Sequence, residues 1–355
     1  MCVQRMSFMK FSIDRLLSVL FFLIAATILG IAVIVVGSYL NLAAQHARNA
    51  ASIVIPLVPP AYRLLDGIVV SPIQSELRPL AVMVENHADA RPVAGLEDAR
   101  IVYESVVEGE ITRFLAIFDG GAEVDRIGPV RSIRPFFLQL AVEWDPVLFH
   151  AGGSPEALQL LRGVMLDAVN EISGDGIYFW RDPQRQTPHN LYTSADLMRR
   201  AALAKDFDPK AGFASWRFED FVLRDRNQRQ GLENQQPVVI RLSADSAYLV
   251  VYRYEPASNS YVRYVNDQID KTERGIILKT DNLVVQYVDS QIIDSYGRLN
   301  VDVQTGGRAD IYRNGELVLA NWQVVDGRTR FFDAQNREVA FRRGTVWIEL
   351  VFNNS

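Results

Sequence analysis

The chain has 355 residues, 37 of them Lys or Arg against 42 Asp or Glu, a formal net charge of −5, and 49% of its residues are hydrophobic. This length suggests roughly two domains able to build cores, and the acidic balance argues against a generally basic surface, so no nucleic-acid partner is expected. The only cysteine is Cys2, which excludes disulfides, cysteine metal sites and thiol nucleophiles from the rest of the chain.

Residues 1–15 read as a cytoplasmic N-terminus and residues 16–36 as a transmembrane anchor. The run from Leu16 to Val36 carries no charge, with Ser18 and Thr27 as its hydroxyls. It is long enough to cross a bilayer core of ~30 Å at ~1.5 Å per residue. Arg5, Lys10 and Arg15 precede it, and the next fixed positive charge is Arg48. The positive-inside bias therefore places the bulk of the chain outside the cytoplasm. An apolar stretch this long, with Leu42 spoiling the small-residue pattern at Ala43 and Ala44, favours an uncleaved signal anchor over a cleaved signal peptide. Residues 37–76, with Pro56, Pro59, Pro60 and Pro72, are expected to be a stiff spacer.

The fold class expected beyond the anchor is α+β, with a mixed α/β sandwich domain over residues 77–223. Strands are predicted at Leu80–Val84, Ile101–Val107, Phe114–Phe118 and Val147–Phe149. Phe136, Phe137, Leu140, Ala141 and Trp144 recur at helical spacing, as do Ala157, Leu158, Leu161, Val164 and Met165. The second of these helices opens on Ser154-Pro155-Glu156, which supplies an N-cap, a first-turn proline and an acid suited to the helix dipole.

Three clusters in this region are candidate ligand sites. Gly128 to Pro135 puts Arg131 and Arg134 at the start of a helix, where the dipole is already positive and an anion should compensate. That anion could be a ligand or an internal carboxylate such as Glu104, Glu108 or Glu110, unless both guanidiniums are simply solvated. His150-Ala-Gly-Gly-Ser154 takes a strand end through two glycines into a helix start, where α/β folds favour ligands, although such a pair is often only a tight turn. Arg181, His189 and Asn190 lie in a dense polar stretch before a helix capped by Ser194; a lone histidine there is more often a structural hydrogen bonder than a base. Arg113 completes the candidate set. No nucleophile elbow, zinc-protease motif, P-loop or dinucleotide fingerprint is present. With four histidines, His46 among them beside the apolar run, neither a multi-histidine metal site nor a cofactor is expected.

The polar tract 224–236 reads as an interdomain linker, followed by a β-rich domain over residues 237–355. Strands are predicted at Val238–Leu242, Tyr248–Tyr254, Tyr261–Val265, Leu283–Val288, Arg330–Phe332 and Thr345–Phe352. Asn314-Gly315, between Ala309–Arg313 and Glu316–Ala320, is the strongest hairpin signal. Trp322 and Trp347 could line a glycan groove, but aromatic residues on strands are more often core.

The segments Arg78 to His87, Glu108 to Phe114, Ile127 to Pro135, His150 to Pro155 and Pro188 to Tyr192 together resemble the bacterial YerB-like family, a domain family of unknown function. The resemblance runs from about Arg78 to the C-terminus. It implies an envelope-facing, membrane-attached protein with a mixed N-terminal domain, a β-rich C-terminal domain and no established reaction. Many members look like lipoproteins, whereas this chain has no cysteine after its apolar segment. The layout of anchor, arginine-bearing turn and later glycine turn is also similar to that of the LytR-CpsA-Psr envelope enzymes, an analogy of arrangement only. The preferred function is binding of an anionic envelope glycan, a phosphate-bearing lipid or an envelope protein partner, with the lipid bilayer as the anchor's own partner. The alternative is an enzyme on a phosphorylated or polyprenyl-linked glycan, with His150, His189 or a nearby acid carrying the proton.

Overall fold

The computed structural model describes residues 3–51, 60–220 and 236–353, with side chains taken from residue 15 to residue 46 in the first of these. Helix α1 (Val3–Ala51) contains the stretch Arg15–His46, whose most apolar 18-residue window has a mean hydropathy of 3.1 and which is long and apolar enough to cross a membrane. It belongs to a unit of its own, Met1–Pro59, while residues from Pro60 onward form a second.

The second unit is built on a ten-stranded mixed sheet. Its strands are β1 (Leu80–Glu85), β2 (Ile101–Val106), β3 (Thr112–Phe118), β4 (Val147–His150), β5 (Ala168–Asn170), β6 (Asn282–Val288), β7 (Gly307–Arg313), β8 (Glu316–Val325), β9 (Arg328–Phe332) and β10 (Val346–Phe352). Their spatial order is β9-β8-β7-β6-β10-β2-β3-β1-β4-β5. The C-terminal strand β10 lies between the two halves of the chain, parallel both to β6 and to β2. The α+β class expected from sequence is observed, and one continuous sheet runs through both halves.

Alternation along the strands divides the core between two faces. Ala81, Met83, Leu115 and Ile117 face one side, with α2 (Pro135–Val142), α3 (Pro155–Gly163), Trp216 and Phe341. Leu80, Val82, Val84, Phe114 and Ala116 face the other, against α4 (Ala195–Ala204) and a smaller antiparallel sheet that includes Val238–Arg241, Leu249–Glu255 and Ser260–Val265. The helix starts follow the local signals. Ser154 Oγ accepts the Ala157 N–H at 3.2 Å, with Pro155 in the first turn, and Ser194 caps α4 in the same way. Asn314 and Gly315 take φ of 52° and 73° in the β7–β8 turn, the left-handed values that a two-residue hairpin needs.

One expectation is revised. Residues 60–76 are not spacer but part of the folded unit. Ala61–Tyr62 pairs with Val69–Val70, Leu65 and Asp66 are buried, and Arg63 bonds Asp66 and Asp119. Pro72, counted toward a stiff spacer, instead opens a helical turn capped by Ser71. Trp322 and Trp347 are 1% and 3% exposed, the core placement favoured for aromatic residues on strands. The expected linker 224–236 lies, apart from Gln236, outside the described residues.

Candidate functional site

The Gly128–Pro135 segment is laced across the ends of three strands. Glu85 N–H donates to Pro129 O at 2.9 Å, Arg131 N–H to Met83 O at 2.9 Å, Val130 N–H to Leu191 O at 2.6 Å, and Ile133 N–H to Gly152 O at 3.1 Å. Gly128 starts the segment at φ +145°, where an added Cβ would stand 2.8 Å from Leu191 O. The backbone thereby gathers the end of β1, the start of β3, the turn after β4 and the loop that carries His189.

Glu85 and Arg113 face each other across the β1–β3 pairing. Arg113 is 3% exposed; its Nη1 donates to Ser132 O at 2.5 Å and its buried Nε has no hydrogen-bond partner. Burial, followed by the charges of Arg134 and Arg131, lowers its guanidinium to about 9, with Glu108 and Glu85 opposing. Among the described residues no carboxylate forms an ion pair with it. Arg131 Nε stands 3.1 Å from Glu85 Oε1, yet neither atom makes a hydrogen bond, so this is a charge contact without donor alignment. Glu85 Oε2 lies 2.9 Å from His189 Nδ1. His189 stacks on His87, ring centroids 5.0 Å apart and planes inclined by 19°, with Asp89 alongside.

Arg134 sits at the N-cap position of α2 without a side-chain capping bond and grips Glu108 with both ends of its guanidinium fork, Nε to Oε2 at 2.8 Å and Nη2 to Oε1. Burial pulls the Glu108 carboxyl upward, but the hydrogen bond and charge of Arg134 outweigh it and hold the group at about 2. The anion that the helix start demands at Arg134 is thus an internal one.

The remaining predicted residues are occupied locally. His150 is fully buried, its Nδ1 2.7 Å from Gly152 O and its Nε2 without a partner, and burial lowers its pKa, which makes it a neutral, enclosed imidazole. Ser154 is an N-cap. Arg181 donates to Asn190 Oδ1 at 3.1 Å and to Glu171 Oε1 at 3.0 Å, while Asn190 Nδ2 donates to the Asp182 carbonyl at 3.3 Å.

Arg113, Arg131, Arg134 and His189 therefore converge, and Arg181 and Asn190 form a separate pair. Sequence reasoning missed Glu85, His87 and Asp89. An acid ending a strand whose every residue is buried was the signal available for Glu85. Three guanidiniums meet two carboxylates, Glu85 and Glu108, and Glu85 is shared with an imidazole. Arg113, which has no carboxylate partner of its own among the described residues, suits an anion, since guanidinium forks match phosphate and carboxylate.

The fold and site define an α+β protein with an arginine-rich cluster at its strand ends, preceded by an apolar N-terminal helix long enough to cross a membrane. The chain belongs to the YerB-like family: it matches the N-terminal domain of the "Protein of unknown function (DUF3048)" family over residues 65–208 and the C-terminal domain over residues 238–348. It is 33% identical over 279 residues to the "Putative lipoprotein YerB" of Bacillus subtilis (strain 168), covering 78% of this chain and 82% of that protein. The crystal structure of YerB protein from Bacillus subtilis superposes with a TM-score of 0.70 at 30% identity, over 82% of this chain and 96% of that one.

Proposed function

We propose that this chain is an extracytoplasmic envelope protein, held by α1 as a single-pass anchor, that binds an anionic envelope ligand at Arg113 and Arg131 beside His189. The observation that carries the reading is Arg113: a guanidinium 3% exposed, with an unpartnered Nε and two further arginines as neighbours. Such a buried charge is costly unless something negative joins it. The basic flank ahead of Leu16 supports a cytoplasmic N-terminus, and the absence of a cysteine after the apolar run separates this anchor from a lipid-modified one.

The test is titration of the full-length protein in nanodiscs with a polyprenyl phosphate and with an acidic wall glycan. Saturable binding that Arg131→Ala weakens by at least ~10-fold is expected, in line with loss of a charge-assisted contact. Equal affinity of the variant and the wild type would remove the site. A second reading, an enzyme on a phosphorylated or polyprenyl-linked glycan, draws on the His189–Glu85 contact at 2.9 Å, since a carboxylate can orient an imidazole for proton transfer. Turnover lost in His189→Gln with binding retained would favour it.

A further inference from the structure

We propose that His87, Asp89 and His189 form a site for a divalent transition-metal ion of the zinc type, with three protein ligands and one coordination position open. The residues come from the turn after β1 and from the loop before Leu191, and one donor atom from each lies within 4.8 Å of the other two. The ion site stands without the anion reading, because metal alone is its probe.

The contact with Glu85 sets His189 up as a ligand. His189 Nδ1 faces Glu85 Oε2 at 2.9 Å, so its N–H belongs to the carboxylate and Nε2 keeps its lone pair. A metal-bound histidine characteristically donates its other N–H to such a carboxylate, which fixes the ring and raises its basicity. Glu85 is 1% exposed at the end of a central strand, a rigid support. His87 Nδ1 spends its lone pair on the Asp89 N–H at 3.2 Å, a bond that an ion would displace, and the same atom lies 3.6 Å from Asp89 Oδ2. Two ligands ~2.1 Å from one tetrahedral ion stand roughly 3.4 Å apart, so His87 and Asp89 already have the spacing of a chelating pair. The His87 and Asp89 side chains are 35% and 76% exposed, which leaves them free to rotate inward and lets an ion enter from solvent.

Two imidazoles and a carboxylate suit zinc or ferrous iron and fit poorly with calcium or magnesium, which favour all-oxygen shells. Glu85 divides its oxygens, Oε1 toward Arg131 and Oε2 toward His189, so one buried carboxylate joins the ion site to the arginine cluster.

The experiment uses tag-free full-length protein in detergent, stripped with chelator and titrated with zinc chloride by calorimetry and with cobalt(II) by visible absorption. One equivalent should bind, with a cobalt spectrum of low coordination number. His87→Ala and Asp89→Asn alter exposed side chains and should fold as the wild type does by circular dichroism, yet each should lose more affinity than the ~10- to 100-fold that follows loss of an outer partner. Glu85→Gln should fall within that smaller range. A Cys2→Ala/His46→Ala double variant should bind as the wild type does. Absence of saturable binding, or equal affinity in wild type, His87→Ala and Asp89→Asn, overturns the proposal.

Discussion

Glu104 on β2 and Arg263 on the smaller sheet meet at 2.6 Å with their side chains 0% and 1% exposed. Asn86 Nδ2 and Thr112 Oγ1 donate to the other Glu104 oxygen, and Arg263 also pairs with Asp270. Glu349 on β10 is buried beside them and accepts the Tyr252 hydroxyl at 2.6 Å. Burial and the Glu104 carboxylate push the Glu349 carboxyl well above its ordinary range, with Arg263 opposing. Three acids, Glu104, Asp270 and Glu349, thus surround one arginine that comes from the other half of the chain than Glu104 does, and Glu349 is the one that burial holds in its neutral form.

Glu104 and Glu349 should therefore answer differently to amidation. Glu104→Gln takes one of two carboxylate partners from Arg263, Asp270 remaining, and should cost about 1.5–3 kcal/mol, the worth of a charged hydrogen bond. Glu349→Gln resembles the protonated acid and should change stability by no more than about 1 kcal/mol. Because the folded Glu349 pKa is raised, its contribution is full below the ordinary value of 4.5 and is lost as pH rises. Urea midpoints measured from about pH 5 to about pH 8 should then fall less steeply in Glu349→Gln than in wild type. Equal destabilisation by both substitutions would mean that Glu349 is the ionised partner.

Glu108 has the opposite sign. Its folded carboxyl sits near 2 against an ordinary 4.5, so the Arg134 pair stabilises fully above about 4.5 and is lost as pH falls toward 2. Arg134→Met should cost about 1–2 kcal/mol near neutrality, the partly exposed carboxylate being screened by water. It should also flatten the acid limb of the stability curve. An unchanged acid limb in the variant would show that the pair is energetically silent.

What was legible in the sequence was local. The apolar runs gave β1, β2, β3 and β4 to within a residue or two, the Ser-Pro-Glu start gave α3, and Asn314-Gly315 gave the hairpin. The insertion of β10 between β2 and β6 was not legible, because parallel pairing between distant segments leaves no local signature. The dipole argument placed Arg134 correctly and named Glu108 among its possible partners. It left the choice between internal acid and ligand open, since that depends on a turn folding back beside α2. The His87–His189 stack joins two loops far apart in the chain and was invisible to spacing. So was the folding of residues 60–76, whose prolines read as spacer, into the second unit, where Leu65 is 2% exposed.

The shared sheet predicts how the protein behaves once cut. Cleavage within residues 224–236 should leave the fragments associated, because β10 is hydrogen-bonded to β2 from Val346↔Ile101 to Glu349↔Glu104 and both core faces draw on both halves. Size exclusion of the nicked protein without denaturant should give one peak. Separation into two folded fragments would mean that these strands do not pair in solution.

Gly128 should be sensitive to a single methyl group. It holds φ +145° with Leu191 O, Val130 N and the Tyr192 ring packed where a Cβ would go. Gly128→Ala should cost about 1–3 kcal/mol in backbone strain. It should also displace the segment carrying Arg131 and Arg134, so binding of a phosphorylated ligand should weaken even in the folded fraction. Thermal unfolding and ligand titration of the same sample test both effects, and wild-type values in both would show that the segment adapts freely.

Arg113 gives the sharpest separation of stability from function. Its guanidinium is lowered to about 9 by burial and by Arg134 and Arg131, so the folded state disfavours the charged form and carries that penalty below about pH 9. Methionine fills similar space without the charge. Arg113→Met gives up the hydrogen bond to the Ser132 carbonyl, a loss of about 1 kcal/mol, and removes the charge penalty. The ligand-free protein should therefore be as stable as the wild type or more so, a residue kept at the expense of the fold being the mark of a binding site. Binding of polyprenyl phosphate or acidic glycan should fall together with the charge. Denaturant unfolding without ligand and titration with it provide the two measurements. Marked destabilisation with binding unchanged would assign Arg113 to structure alone and withdraw the anion site.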